Sequence, residues 1–167
     1  MSTSTKLLLC LLFFCFGALL NAQQTTIILV RHAETFEGGS ERMLNEAGKK
    51  RALKLKETLQ NVHLDAIYST DLNRTKQTAH PIAISRGLDI KLYDPKNLTE
   101  FASDLLKNHV GETILVSGHS NTTPQLVNAL IGEKKYEDLD ETEFYHLFIL
   151  NFSSNFPPKI LQLSYGF

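Results

Sequence analysis

The sequence predicts an α/β fold, a three-layer α/β/α sandwich whose sheet is mostly parallel with an antiparallel edge. Three observations lead there. Short apolar runs alternate with stretches of helical periodicity, the order expected of strand–helix–strand units. The first run, TTIILV (Thr25 to Val30), is apolar without alternation, as a strand covered on both faces must be. The last two runs, YHLFIL (Tyr145 to Leu150) and KILQLSY (Lys159 to Tyr165), flank a Ser/Asn/Pro turn and read as an antiparallel pair.

Between these ends each element has its own signal. Asn45 is placed to cap a helix from Glu46 to about Leu59, with Ala52, Leu55 and Leu59 on one face. LDAIYS (Leu64 to Ser69) is the second strand, and a helix follows from about Asp71 to Ser85, where Pro81 is expected to kink or shorten it. DIKLY (Asp89 to Tyr93) is the third strand, and Leu98 to His109 form a helix that Gly111 ends. TILVSGH (Thr113 to His119) runs into a glycine turn. Residues 122 to 131 then make a short helix that accepts Pro124 in its first turn. There is no internal repeat and no low-complexity tract.

The chain starts with an export signature. Lys6 is the single charge before LLLCLLFFCFGALL (Leu7 to Leu20), and small Ala22 precedes an expected cut that makes Gln23 the new N-terminus. The apolar run is shorter than the ~20 residues of a membrane span, so a cleaved signal peptide is favoured over an anchor. Cys10 and Cys15 lack the context of a lipoprotein cut. The expectation is therefore a periplasmic or secreted single domain over residues 23–167 with no stable membrane anchor. Both cysteines leave with the leader, which excludes a disulfide framework and a thiolate site. A net charge of −1 with no basic run argues against a nucleic-acid partner.

Three polar clusters fall immediately after strands: RHAET, STDLNRTKQT and SGHSNT. In an open α/β sheet, ligands sit at the carboxyl ends of the strands, so Arg31, His32, Arg74 and His119 are sent to one rim. Two arginines and two imidazoles converging on one point suit a phosphoryl group. Arginine forks two phosphate oxygens, and an imidazole nitrogen can attack phosphorus.

These clusters resemble the motifs of the histidine phosphatase superfamily, whose fold is phosphoglycerate mutase-like. RHA matches the Arg-His-Gly motif with Ala33 in place of glycine, and YSTDLNRTKQTA matches Ser-x-x-x-x-Arg-x-x-x-Thr-Ala. VSGHSNT matches the second-histidine motif, and LNEAGKKRA resembles Leu-Thr-x-x-Gly-x-x-Gln-Ala. The short chain is most similar to the small, phosphohistidine-phosphatase-like members. The resemblance implies that His32 becomes phosphohistidine while Arg31, Arg74 and His119 hold the phosphoryl oxygens, with neither metal nor cofactor. His32 must then attack as the neutral imidazole. His119 is expected to serve as the imidazolium, giving a bell-shaped pH profile. Ser120, Asn121 and the N–H groups opening the following helix are further candidates for phosphate binding, as is Thr35.

The family's glutamate after the third strand has no counterpart in LYDPKNLTEF; Asp94 is the first candidate for the general acid and Glu100 the second. Glu34 reads as a loop-solvating residue, and Ser69 and Thr78 as local or packing contacts. KKYEDLDETE (Lys134 to Glu143) reads as a solvated linker, with flanking of the pocket as the lesser alternative because it leads into the antiparallel pair, and Phe144, Phe148 and Phe152 read as packing. His63, His80, His109 and His146 read as structural or solvent-facing. A metal held by His32, His119 and Asp71 is disfavoured because two arginines would repel it. A serine nucleophile is disfavoured because SGHS is not a Gly-x-Ser-x-Gly elbow. The function expected is a phosphomonoester hydrolase with an open pocket, acting on a phosphorylated small molecule or phosphoprotein. The alternatives are a non-catalytic phosphate-binding module and a phosphoglycerate mutase-type phosphotransferase.

Overall fold

A computed structural model of the chain describes residues 23–39 and 41–166. The expected leader, residues 1–22, lies outside the described residues. The strands are β1 (Thr25–Arg31), β2 (Ala66–Ser69), β3 (Ile90–Leu92), β4 (Thr113–Gly118), β5 (His146–Ser153) and β6 (Phe156–Ser164). Among the described residues they form one sheet in the order β3-β2-β4-β1-β5-β6. The helices are α1 (Glu46–Thr58), α2 (Asn73–Arg86), α3 (Leu98–Asn108) and α4 (Thr122–Ile131). β3, β2, β4 and β1 run parallel, β5 is antiparallel to β1, and β6 closes the edge as a hairpin with β5.

The unbroken apolar run of β1 is explained by its two faces. Ile28 and Val30 pack with Leu55 and Leu59 at the end of α1 and with Ala79, Ile82 and Ala83 of α2. Ile27 and Leu29 pack with Ala102 and Leu105 of α3 and with Leu126, Val127 and Leu130 of α4. Burying a side chain of this size contributes about 1.5–3 kcal/mol, so neither helical layer is dispensable. The connection leaving β1 passes over the α1/α2 face toward β2, whereas the one leaving β4 passes over the α3/α4 face toward β5. Adjacent strands whose connections diverge in this way open a crevice at their carboxyl ends. His32 follows β1 and His119 follows β4, on either side of that crevice.

Two local expectations are corrected. Pro81 neither ends nor shortens α2, which runs on to Arg86 and a left-handed Gly87. Ala79, Ile82 and Ala83 on the buried face of α2 hold it against the sheet, and that packing outweighs one missing backbone hydrogen bond. The hairpin is longer than expected. It turns at Ser154–Asn155, and β6 takes in Pro157 and Pro158. Those prolines are tolerated because β6 is the outer strand and the ladder is irregular between Asn151 and Ser153.

The loop after β1 is pinned by α1. Gly48 N donates to Asn45 Oδ1 at 2.9 Å, the expected helix cap, and Asn45 Nδ2 donates to Thr35 O at 3.0 Å. A Cβ on Gly48 would collide with the Glu34 carbonyl, so only glycine lets the helix press against the turn that carries His32.

Candidate active site

His32 is buried and held on three sides. Its backbone N donates to Gly118 O at 2.9 Å, tying the end of β1 to the end of β4. The next amide, Ala33 N, donates to Thr78 Oγ1 at 2.9 Å. The ring nitrogen Nδ1 lies 2.8 Å from Ala33 O. A carbonyl only accepts, so Nδ1 carries the proton and Nε2 is left with its lone pair. That is the tautomer a nucleophile needs.

His119 sits across the crevice with its ring centroid 5.6 Å from that of His32. Its Nδ1 faces Arg74 Nη2 at 3.4 Å, and its Nε2 lies 2.9 Å from Thr70 Oγ1. Arginine can only donate, so Nδ1 is the acceptor and Nε2–H donates to Thr70. Arg74 stands in the first turn of α2. Burial together with Arg42 lowers the proton affinity of the Arg74 guanidinium, so this side of the crevice is crowded with positive charge.

Arg31 is 1% exposed and lies beneath the segment that leads into β5. Its Nη1 donates to Asp140 O (2.6 Å) and Glu143 O (3.1 Å), its Nη2 to Glu141 Oε2 (2.9 Å), and its guanidinium stacks 4.1 Å from the Phe144 ring centre. Its Nε is buried without a hydrogen-bond partner among the described residues. Glu141 Oε1 also accepts from Ser120 Oγ at 3.2 Å. The stretch read as a solvated linker is therefore a wall of the site. Phe144, read as packing, lies over Arg31 with its ring centre 6.0 Å from that of His32.

Burial is the largest influence on both imidazoles. It pushes His32 down to about 3, opposed by the Ala33 carbonyl and assisted by Arg31, Arg74 and His119. It pushes His119 down to about 4, assisted by Arg74, Arg31 and Arg42. His32 is neutral, as an attacking imidazole must be. Burial first, and the three guanidiniums after it, hold His119 neutral as well; the imidazolium expected of it concerns a bound phosphate.

His32, Arg74, His119, Arg42, Lys96 and Glu141 line a cavity of about 380 Å³, and Ser120 and Asn121 line it too. Arg31 stands behind this lining rather than in it. Asn121 caps α4 by accepting from Thr122 N at 2.9 Å, and Thr123 N donates to His119 O. The helix-opening amides proposed for phosphate are thus partly spent on the turn itself. Thr35 is set aside from the cavity, bridged to Leu44, with its carbonyl on Asn45. Asp94 is the main correction. Its Oδ1 accepts from Lys96 N and its Oδ2 from Asn97 Nδ2, and it lines a separate cavity together with Glu100. It shapes the turn that brings Lys96 to the rim. Among the described residues no three His, Cys, Asp or Glu side chains are grouped to hold a metal, and Asp71 is paired with Lys76. His109 is buried against Tyr68 and Glu112, a structural role.

Sequence reasoning missed Arg42, Lys96, Glu141, Phe144 and Thr70. Thr70 carried a signal, since it lies inside the matched STDLNRT segment directly after β2, and Glu141 a weaker one, since its run leads into the antiparallel pair.

The site is a buried neutral imidazole among guanidiniums at the switch point of a doubly wound α/β sheet, a chemistry suited to an anion. Residues 27–101 match the model of the histidine phosphatase superfamily, branch 1. It is 42% identical over 71 residues to phosphoserine phosphatase 1 of Hydrogenobacter thermophilus, spanning 38% of this chain and 34% of that one. It is 32% identical over 124 residues to a probable phosphoglycerate mutase, GpmB, of Yersinia pestis, covering 70% of this chain and 56% of the relative. The chain thus spans about a third to just over half of the curated relatives it matches. A putative α-ribazole-5′-phosphate phosphatase of Escherichia coli K-12 has the same fold. Its TM-score is 0.69 at 17% identity, covering 86% of this chain and 97% of that one.

Proposed function

We propose that the chain is a phosphomonoester hydrolase that works through a phosphohistidine on His32 and requires no metal ion. The observation that carries this reading is the tautomer of His32. Nδ1 is committed to Ala33 O, leaving the Nε2 lone pair beside Arg74 and His119 in the lined cavity. In the first step Nε2 forms a bond to phosphorus as the bond to the ester oxygen breaks. Arg74 and Arg42 stabilise the charge that gathers on the phosphoryl oxygens. In the second step water attacks phosphorus, the P–N bond breaks, and inorganic phosphate leaves with His32 neutral again. The cations on the rim favour an anionic ligand, and three arginines around neutral imidazoles supply charge without a metal.

The relatives include a phosphoserine phosphatase and probable phosphoglycerate mutases, so the fate of the phosphohistidine separates the two activities. The Glu141 side chain at the mouth of the cavity is 78% exposed, and water at that mouth supports hydrolysis over retention of the intermediate. The substrate is a phosphorylated small molecule or a phosphoprotein side chain. The leader read in residues 1–22 makes a periplasmic or secreted location part of the same proposal. Finding Gln23 at the N-terminus of exported protein tests that part.

The enzyme reading is tested with p-nitrophenyl phosphate, with and without chelator, alongside His32→Ala. An active wild type, an inactive variant and indifference to chelator are the expected results. Activity that survives in His32→Ala removes the proposed nucleophile. Phosphate binding without turnover in the wild type favours a binding module instead.

A further inference from the structure

We infer that Glu141 is the proton donor to the leaving group, an inference that rests on the hydrolase reading above. Breaking a phosphate ester to an alkyl alcohol needs a proton on the departing oxygen, and the expected donor, Asp94, faces another cavity. Glu141 is the one carboxyl group among the described residues lining the cavity that holds His32, Arg74 and His119. It is aimed there by two residues of the site itself, Arg31 Nη2 at 2.9 Å and Ser120 Oγ at 3.2 Å. Its high exposure at the mouth keeps it in proton exchange with water.

In-line attack by the buried His32 sends the ester oxygen away from the floor of the cavity and toward that mouth. A leaving oxygen that emerges at the mouth meets the carboxyl group that Arg31 and Ser120 hold there. The steps then balance. His32 Nε2 bonds to phosphorus, the P–O bond breaks, and the Glu141 proton passes to the leaving oxygen, releasing alcohol. Water next attacks phosphorus as the P–N bond breaks, dihydrogen phosphate leaves, and the exposed Glu141 carboxylate regains its proton from solvent.

The test compares Glu141→Gln and wild type, both as the full chain, on p-nitrophenyl phosphate and n-propyl phosphate. A positioned general acid contributes about 10²–10⁴-fold, so kcat for n-propyl phosphate falls by that order while p-nitrophenyl phosphate changes by no more than about threefold. Glutamine keeps hydrogen bonds to Arg31 and Ser120, and Glu141→Asp restores part of the alkyl activity. The basic limb of the alkyl pH profile disappears in Glu141→Gln. Equal losses on both esters, or gains on both from a freed Arg31, overturn the donor role. So does a wild type that hydrolyses p-nitrophenyl phosphate but is inert on n-propyl phosphate. A wild type inert on both esters, or an active His32→Ala, overturns the hydrolase reading and the donor with it.

Discussion

The hydroxyl of Thr78, on α2, accepts the backbone amide of Ala33 at 2.9 Å and fixes the turn that carries His32. The same oxygen donates to Arg74 O at 2.8 Å, so one buried side chain sets both the His32 turn and the turn that carries the arginine. Thr78→Val keeps the shape but leaves the Ala33 amide without its partner, a loss of about 1–3 kcal/mol. The expected outcome is a lowered urea midpoint and a lower kcat with little change in KM, rescued by Thr78→Ser. Unchanged kinetics in Thr78→Val would assign the hydroxyl to stability alone.

Glu34, one residue beyond Ala33, is paired with Arg51 at 2.6 Å, and Arg51 Nη1 reaches Tyr165 O at 3.0 Å. Burial opposes ionisation of Glu34, but the Arg51 hydrogen bonds outweigh it and hold the carboxyl below its ordinary value of 4.5. A carboxyl depressed in the folded state adds stability above its unfolded value, and loses it as pH falls through the folded one. Arg51→Met leaves a largely buried carboxylate alone, which costs about 3 kcal/mol at neutral pH. Urea titrations should show this gap closing as the pH drops below 4.5. A gap independent of pH would mean the pair matters for packing only.

Gly118 is enclosed by hydroxyls. A Cβ there would sit 2.8 Å from Thr123 Oγ1, 3.0 Å from Tyr93 OH and 3.1 Å from Thr122 Oγ1. Gly118→Ala therefore forces apart the floor between His32 and His119, at about 1–3 kcal/mol of stability. Because Thr122 Oγ1 also accepts from His119 N, kcat should fall more than the stability loss explains. Thermal melts and kinetics on the same preparation check both parts.

Both site imidazoles stay neutral well into acid. His32 gains its proton only near pH 3 and His119 only near pH 4, against 6.5 for a free ring. The unfolded chain therefore binds protons first as pH falls below 6.5, and stability declines progressively toward those lower values. NMR titration should find the two rings unprotonated at pH 5.5. The His32→Asn/His119→Asn double variant should lose less stability than wild type between pH 7 and pH 5. A ring that titrates near 6.5 would restore the cationic His119 expected from the motif.

The strands, their parallel order and the histidines at two strand ends were legible because each is written locally, in apolar runs followed at once by polar clusters. Pro81 misled because a local penalty was weighed without the buried face of α2 that offsets it. Phe144 was illegible, and Glu141 only weakly signalled, because they reach Arg31 from 110 residues or more further along the chain, through pairing that no spacing encodes. The helix cap was seen at Asn45, but Asp94 was mistaken for an acid when its carboxylate caps its own turn. A polar residue after a strand can serve ligand or loop, and only the fold decides which.

The central claim is that phosphorus is bonded to His32 during turnover. Rapid quenching into alkali, followed by mass spectrometry of the peptide containing Arg31 and His32, measures it directly. The predicted result is a phosphoryl group on His32 that forms within the first turnover, is labile to acid and is absent from His32→Ala. Steady turnover with that peptide unmodified, or the label on another residue, would contradict the account.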